Sequence, residues 1–373
     1  MRIGLLLANS RFVPQLAADV RHWIAKGLAG ADHRLVVEAT PYNESPFQVR
    51  DKIQRLMVAE EADIVVAPLG AGMLPRVADL AAGQEVPLLV LTMGEDVCEG
   101  DTVPPWVFVN SLGLWRSAWL TGRMAGEGLG SRVCIVSAAH ESGYGLNFAV
   151  ALGVESAGGA VVATMPAPAV TDEAAVSELV ERAAALAPDG IVLLASGEPL
   201  APLAAAFAAS SFPTVGLAPH AWLPDGYRPG DGARFPAGVT GWNPLAKPGA
   251  DFIAAFAAAE DRPAHAHAVL ALEAGRLIAD AAARCGGRPR GERLRAALAA
   301  ATATGPRGPL RFDAETQEAT TPQHCLRFAT GPDGTMRAVA AEAAAEPPLL
   351  AEQVELARRR LAKQGWLNPY LFA

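Results

Sequence analysis

The sequence is poor in the features that mark most specialised protein classes. Cysteine occurs at only four positions, Cys98, Cys134, Cys285 and Cys325. These form no CxxC pair and no Cys/His spacing suited to zinc, so a zinc module is excluded and cysteine usage leaves the compartment open. The strongest apolar runs, such as 87–91 and 191–195, end after about five to eight residues, far short of the ~20 that a bilayer-spanning helix needs. No membrane insertion is therefore expected. Lysine and arginine number 31 against 39 aspartates and glutamates, a net charge of −8, and nowhere gather into a groove-sized patch. Counterion release has nothing to work with, which excludes nucleic acid as a partner. Also missing are a GxxxxGK[ST] loop, an HExxH pair, a GxSxG elbow and an EF-hand pattern.

What the sequence does contain is ordinary globular material. Hydrophobic residues make up 51% and charged residues 19% of 373 positions, enough apolar surface for sizeable cores. At roughly 150 residues per domain the length gives two or three domains, with two as the starting expectation. After Arg2, residues 3–8 are apolar but give way at once to Asn9-Ser10-Arg11 and do not read as a secretory leader.

Short β-rich runs alternate with stretches of helical periodicity through the first hundred residues. Strands are expected at 3–8, 34–39, 64–67, 87–92 and 107–110, with helices at 13–28 and 46–60. After a helical stretch at 114–126 a second series begins. Its expected strands are 133–137, 160–165, 190–195, 214–217 and 239–242, and its helices 145–157, 172–187 and 200–210. Strands separated by single helices pair in parallel through right-handed crossovers, which gives open sheets covered on both faces. Three Ala-rich helices then follow at 249–261, 265–285 and 291–301, with short strands at 310–312 and 325–330. That region holds too few strands for a third α/β domain and is expected to return and complete the two earlier ones. The expectation is α/β, two doubly wound open-sheet lobes: 1–116 with 244–323, and 117–243 with 324–345. Residues 346–373 form a C-terminal helix and tail packed on the body. Open sheets of this kind take ligands at the carboxyl ends of their strands.

Residues able to carry chemistry are few at those strand ends. Gly70-Ala71-Gly72 follows a strand and offers backbone N–H groups near a helix start, but Pro75 stands where a dinucleotide fingerprint needs its third glycine. Cys134 falls inside an apolar strand and reads as a small core hydrophobe. Cys98 sits in an acidic loop, where neighbouring carboxylates raise a thiol's pKa. His265 and His267 are two apart and point about 200° from each other on a helix, so they cannot share a metal as an i, i+4 pair could. Four aromatics, Phe12, Tyr144, Trp222 and Trp242, fall in loops after expected strands, where they can stack on a ligand or cap a core. No catalytic residue, no metal site and no cofactor is expected.

Several local patterns together resemble the type I periplasmic binding proteins of ABC importers, in the branched-chain amino acid and amide-binding branch. They are the Ile3-Gly-Leu-Leu-Leu opening, Ala62-Asp-Ile-Val-Val-Ala-Pro68, Val86-Pro-Leu-Leu-Val-Leu, Tyr144-Gly145 before a helix with its continuation to Gly159, and Gly305-Pro-Arg-Gly-Pro-Leu-Arg-Phe-Asp313. The resemblance covers about residues 2–340. It implies two α/β lobes joined by three crossovers, a Venus flytrap that closes over a small ligand. Carried onto this sequence, it places ligand contacts at Ser10 and Phe12, at Gly70, Ala71 and Gly72, and at Met93, Glu95 and Asp96 in the first lobe. In the second it places them at Tyr144, Ser196, Glu198 and His220.

The departures from that pattern define the expected ligand. The turn at Gly70–Gly72 keeps backbone amides and lacks the hydroxyl that relatives use on an amino acid's carboxylate. Glu95 and Asp96 stand where that carboxylate would dock, and a desolvated anion beside them would cost several kcal/mol without a cation between. A neutral polar, aromatic or cationic small molecule is therefore expected in place of a plain aliphatic amino acid. The implied role is the solute-binding component of an ABC importer, partnered by a membrane permease and located in the periplasm, with any leader outside these residues. The alternatives are a cytoplasmic ligand sensor of the amide-regulator type and an enzyme working in the cleft.

Overall fold

The structure is a computed structural model that describes residues 1–10, 12–30, 32–40, 45–97, 104–168, 172–196, 199–210, 212, 214–217, 238–286, 289–330, 336–361 and 367–368. The first series runs β1 (Arg2–Ala8), α1 (Leu16–Gly27), β2 (Arg34–Thr40), α2 (Pro46–Val58), β3 (Ile64–Pro68), α3 (Leu74–Gln84), β4 (Leu88–Thr92) and β5 (Val107–Ser111). The second runs α4 (Leu114–Gly128), β6 (Arg132–Ser137), α5 (Leu146–Ser156), β7 (Ala160–Pro166), α6 (Glu173–Ala185), β8 (Gly190–Leu194), α7 (Leu200–Ala209), β9 (Thr214–Leu217), β10 (Gly238–Thr240) and α8 (Lys247–Glu260). The returning part consists of α9 (Ala266–Arg284), α10 (Gly291–Ala299), β11 (Thr302–Gly305), β12 (Gly308–Arg311), β13 (Glu318–Ala319), β14 (His324–Thr330), β15 (Met336–Ala343) and α11 (Leu350–Leu361).

Two compact units result. Unit 1 takes the described residues of 1–112 and 264–321 with Leu367 and Asn368; unit 2 takes those of 113–263 and 322–361. The expected grouping of 244–323 with the first lobe differs at α8, which clusters with unit 2 because Phe252 packs its ring on Trp242. Helix α11 also belongs to unit 2, where it meets α5.

In unit 1 the sheet order is β13-β5-β4-β3-β1-β2, with every pairing parallel. Strands β3, β4 and β5 are buried at every position, as a parallel sheet covered on both faces requires. Helix α2 starts at a capping box in which Ser45 accepts from the Gln48 N–H, and Pro46 occupies its first turn, where a missing N–H costs nothing. Its inner face, Ile53, Leu56 and Met57, joins a core with Leu6, Val65, Val77 and Val90. On the other side α9 lies against α1 at a crossing of two glycines. A Cβ on Gly275 would stand 2.8 Å from the Gly27 Cα, so only glycine allows the approach.

In unit 2 the order is β15-β14-β10-β9-β8-β6-β7; β14 and β15 join antiparallel and the other pairings are parallel. Helices α4 and α5 also meet at glycine, since a Cβ on Gly153 would reach 2.7 Å from the Arg123 nitrogen. Cys134, Val136, Ile191, Leu193, Leu203 and Phe207 make the core on one face of this sheet. No described helix is long and apolar enough to cross a membrane.

Candidate functional site

The edge of unit 1 where the ligand residues are expected follows from strand order. β1, β3 and β4 are neighbours and run parallel, so the loops that leave their carboxyl ends lie side by side. These loops carry Ser10 and Phe12, Gly70 to Gly72, and Met93 to Asp96. Eight of the twelve expected ligand residues are thus brought to one edge of one sheet.

Ser10 is buried, and its hydroxyl oxygen accepts from the N–H groups of Phe12 and Val13, both at 3.1 Å. That local turn fixes the loop and leaves the Phe12 ring 38% exposed at the strand end. After β3, Gly70 precedes a single 3-10 turn over Ala71–Met73, which leads directly into α3. Ala71 and Met73 are buried and Gly72 is half-buried. After β4, Gly94 takes a φ of 69°, a left-handed conformation natural to glycine, and turns the chain back. Its N–H donates to the Thr92 hydroxyl at 3.1 Å, and that hydroxyl donates to the Glu95 carboxylate at 3.1 Å. Glu95 is fully buried (0% exposed), Met93 is buried and Asp96 is half-buried. Within the acidic pair, Asp96 is therefore the one that reaches the surface of the edge.

The corresponding edge of unit 2 is built by β6 and β8, also parallel neighbours. The β6 loop makes a 3-10 turn over Glu141–Gly143 and ends on Tyr144, whose buried ring meets His140 edge-on at 5.5 Å between centroids. Burial pushes the His140 imidazole down to about 4, so it is neutral at pH 7. From the β8 loop, the Ser196 hydroxyl donates to the Glu141 carboxylate, and both side chains are buried. Ser142 ties the loop back to its strand by donating to the Ser137 hydroxyl at 3.0 Å. Tyr144 and Ser196 thus share one edge, held by two residues that sequence reasoning passes over, His140 and Glu141. Their only signal is a polar cluster, Ala139-His-Glu-Ser-Gly-Tyr144, directly after an apolar strand.

Glu198 and His220 lie outside the described residues, as do Trp222 and Cys98. Trp242 is a core residue, fully buried against Phe252 at 6.3 Å between ring centroids. The expected helical separation of His265 and His267 does not arise, because His265 is the N-cap of α9 and lies in extended backbone. The two rings stand 6.1 Å apart, and the His265 Nε2 is 2.7 Å from the Asp19 carboxylate. Burial, with the neighbouring His265, holds His267 well below the usual histidine range. Among the described residues no group of three histidines, cysteines, aspartates or glutamates is placed to hold a metal ion.

Residues 21–335 match the family profile described as periplasmic binding protein. The chain belongs to that family. Solved structures of periplasmic binding proteins share its fold over nearly their whole length. An ABC-transporter solute-binding protein from Rhodopseudomonas palustris BisB5, in complex with 3,4-dihydroxybenzoic acid, has a TM-score of 0.72 at 18% identity, covering 93% of this chain and 98% of that one. A second from R. palustris, in complex with benzoate, has a TM-score of 0.70 at 22% identity, covering 92% and 97%. A leucine-binding protein from Thermotoga maritima has a TM-score of 0.66 at 14% identity, covering 91% and 98%. No curated protein sequence matches the chain significantly. The two-unit α/β architecture with parallel sheets is that of the type I periplasmic binding proteins.

Proposed function

We propose that this chain is the solute-binding component of an ABC importer and takes a small aromatic molecule bearing a polar substituent, not a plain aliphatic amino acid. The observation that carries the reading is the composition of the two strand-end edges. The edge loops of unit 1 carry an exposed ring, Phe12, and the half-buried carboxylate of Asp96, while Glu95 is fully buried. Unit 2 presents Tyr144 beside the neutral His140 and the Ser196–Glu141 pair. The exposed Phe12 ring offers a face to an aromatic ligand, while carboxylate, hydroxyl and imidazole groups offer hydrogen bonds that fix its orientation. Unit 1's acceptors suit a donor on the ligand: a phenol, an amide or a cation. The complexes of fold relatives with benzoate and dihydroxybenzoate support an aromatic guest; like-charge repulsion would turn a carboxylate on such a guest away from Asp96.

Binding favours the liganded form of the protein, and a membrane permease reads that form. The protein works in the periplasm and returns its ligand unchanged. Burial pushes the thiols of Cys134, Cys285 and Cys325 upward, Cys134 to about 11, which suits none of them as a nucleophile at neutral pH.

A thermal-shift screen over benzoate, 4-hydroxybenzoate, benzamide, leucine, valine and a polyamine tests the reading. A ligand that binds only the native state raises the melting temperature by mass action. The hydroxylated or amidated aromatics should raise it and leucine should not; tight binding of leucine or valine overturns the proposed ligand class.

A further inference from the structure

The glycines of the Gly70–Gly72 turn meet a part of this chain that no pattern at the strand ends foreshadows. Gly70 has φ −73° and ψ 156°, extended backbone that any residue adopts, so glycine is not required there for conformational freedom. What a side chain would meet is the C-terminal tail. A Cβ on Gly70 would stand 3.0 Å from the Leu367 carbonyl oxygen and 3.3 Å from that of Asn368. A Cβ on Gly72 would stand 2.7 Å from Cδ2 of Leu367. Leu367 and Asn368 belong with the turn to unit 1, although 295 or more positions separate them from it in sequence.

We propose that Leu367 and Asn368 are resident occupants of the ligand edge of unit 1 and compete with ligand for the Gly70–Gly72 turn, so that the tail decides which molecules reach it. The inference rests on the proposed function for the turn's role as a ligand contact and for the identity of the competing ligand. Chemically the tail suits the place it holds. The first N–H groups of a helical turn have no carbonyl ahead of them in the chain, and the tail brings two carbonyl oxygens, both acceptors, against the turn. The Leu367 side chain covers Gly72 with apolar surface. A tethered occupant of this kind acts at an effective concentration of the order of millimolar, without dissociating from the molecule. Apparent affinity for an external ligand falls by the fraction of molecules in which the turn is uncovered. A ligand that makes enough contacts elsewhere displaces the tail; one that relies on the turn alone does not.

The test compares the full chain with a variant lacking residues 366–373 and with the full-length Leu367→Asp variant, which covers the case of a truncation that fails to fold. Hydrogen exchange of the 69–74 segment is measured by mass spectrometry without ligand, with the β3 segment as an internal control of folding. Exchange at 69–74 should accelerate about fivefold or more in both variants while β3 is unchanged. Equal exchange in all three proteins overturns the proposal. Calorimetric titration with 4-hydroxybenzoate then reads competition: the apparent Kd should tighten about fivefold on truncation, and the eight-residue tail peptide added in trans should reverse it. A Kd that is unchanged or weaker overturns the competitive role. If no aromatic binds any of the proteins, the ligand class fails, and the exchange result alone decides whether the tail occupies the turn.

Discussion

The guanidinium of Arg307 lies 2.7 Å from the Glu273 carboxylate with both side chains fully buried (0% exposed). Arg307 also donates to the Ser111 carbonyl, to the Asn110 side-chain oxygen and, at 3.4 Å, to the Thr321 hydroxyl. Ser111 and Thr321 are the last or next-to-last residues before the chain leaves unit 1, and Glu273 sits on α9, the first helix after it returns. One cation thus ties the two unit 1 ends at Ser111 and Thr321 to the interior of α9. Removing it leaves a buried carboxylate without its partner, at a cost of about 3–5 kcal/mol. Arg307→Met should therefore lower the urea midpoint sharply, and the double variant Arg307→Met/Glu273→Leu should recover part of the loss. A midpoint within error of the parent would show that the pair does not brace unit 1.

The two glycine crossings make a second prediction. Gly275 on α9 packs against Gly27 on α1, and a Cβ there would need the helices to separate. Gly275→Ala should cost about 1–3 kcal/mol by overpacking, and Gly275→Val more. The same substitution at Gly83, where nothing lies within 4 Å of the added carbon, should be neutral or slightly stabilising because it falls within helix α3. Thermal unfolding of the Gly275→Ala and Gly83→Ala variants side by side checks both; equal melting points would contradict the packing account.

His140 predicts a pH dependence with a definite sign. Its folded-state pKa of about 4 lies below the unfolded value of 6.5, so between those limits the unfolded chain binds more protons. Its contribution to stability is therefore complete above pH 6.5 and is lost as pH falls toward 4. Because the ring is only half-buried, solvent screening reduces the effect to about 1–2 kcal/mol. The difference in unfolding free energy between the parent and His140→Asn, measured in urea at pH 7 and pH 4.5, should shrink by that amount at the lower pH. A difference independent of pH would exclude the buried neutral imidazole.

Ser196 and Glu141 connect stability to the proposed ligand edge in unit 2. Ser196→Ala removes a buried donor from a buried carboxylate, a loss of about 1–3 kcal/mol. Because the pair joins the β6 and β8 loops, the variant should also weaken binding of a ligand that touches Tyr144. Calorimetry on Ser196→Ala that shows lower stability with unchanged affinity would confine this pair to a structural role.

Much of the architecture is legible in the sequence because the β3 and β4 runs, Ile64-Val-Val-Ala-Pro68 and Leu88-Leu-Val-Leu-Thr92, are apolar at nearly every position, as fully buried parallel strands must be. The eight ligand residues expected in unit 1 come together for the same reason: strand ends of a parallel sheet share an edge. β15 is not legible, because Met336-Arg-Ala-Val-Ala-Ala-Glu-Ala343 consists largely of helix-favouring residues and is a strand only through its antiparallel pairing with β14. Helix α3 is hidden by Gly70, Gly72 and Pro75, which read as a turn, although Pro75 lies in its first turn. The Asp19–His265 and Arg307–Glu273 pairs join residues far apart in the chain, and no local pattern marks either partner. The tail's seat on the Gly70–Gly72 turn is invisible for the same reason.

Calorimetric titration with 4-hydroxybenzoate and with leucine, followed by recovery of the bound molecule and its identification by mass spectrometry, is the decisive measurement. Saturable binding of the aromatic, no binding heat with leucine, and recovery of the aromatic unaltered are expected. Tight binding of leucine, or a chemically altered aromatic, would overturn the assignment.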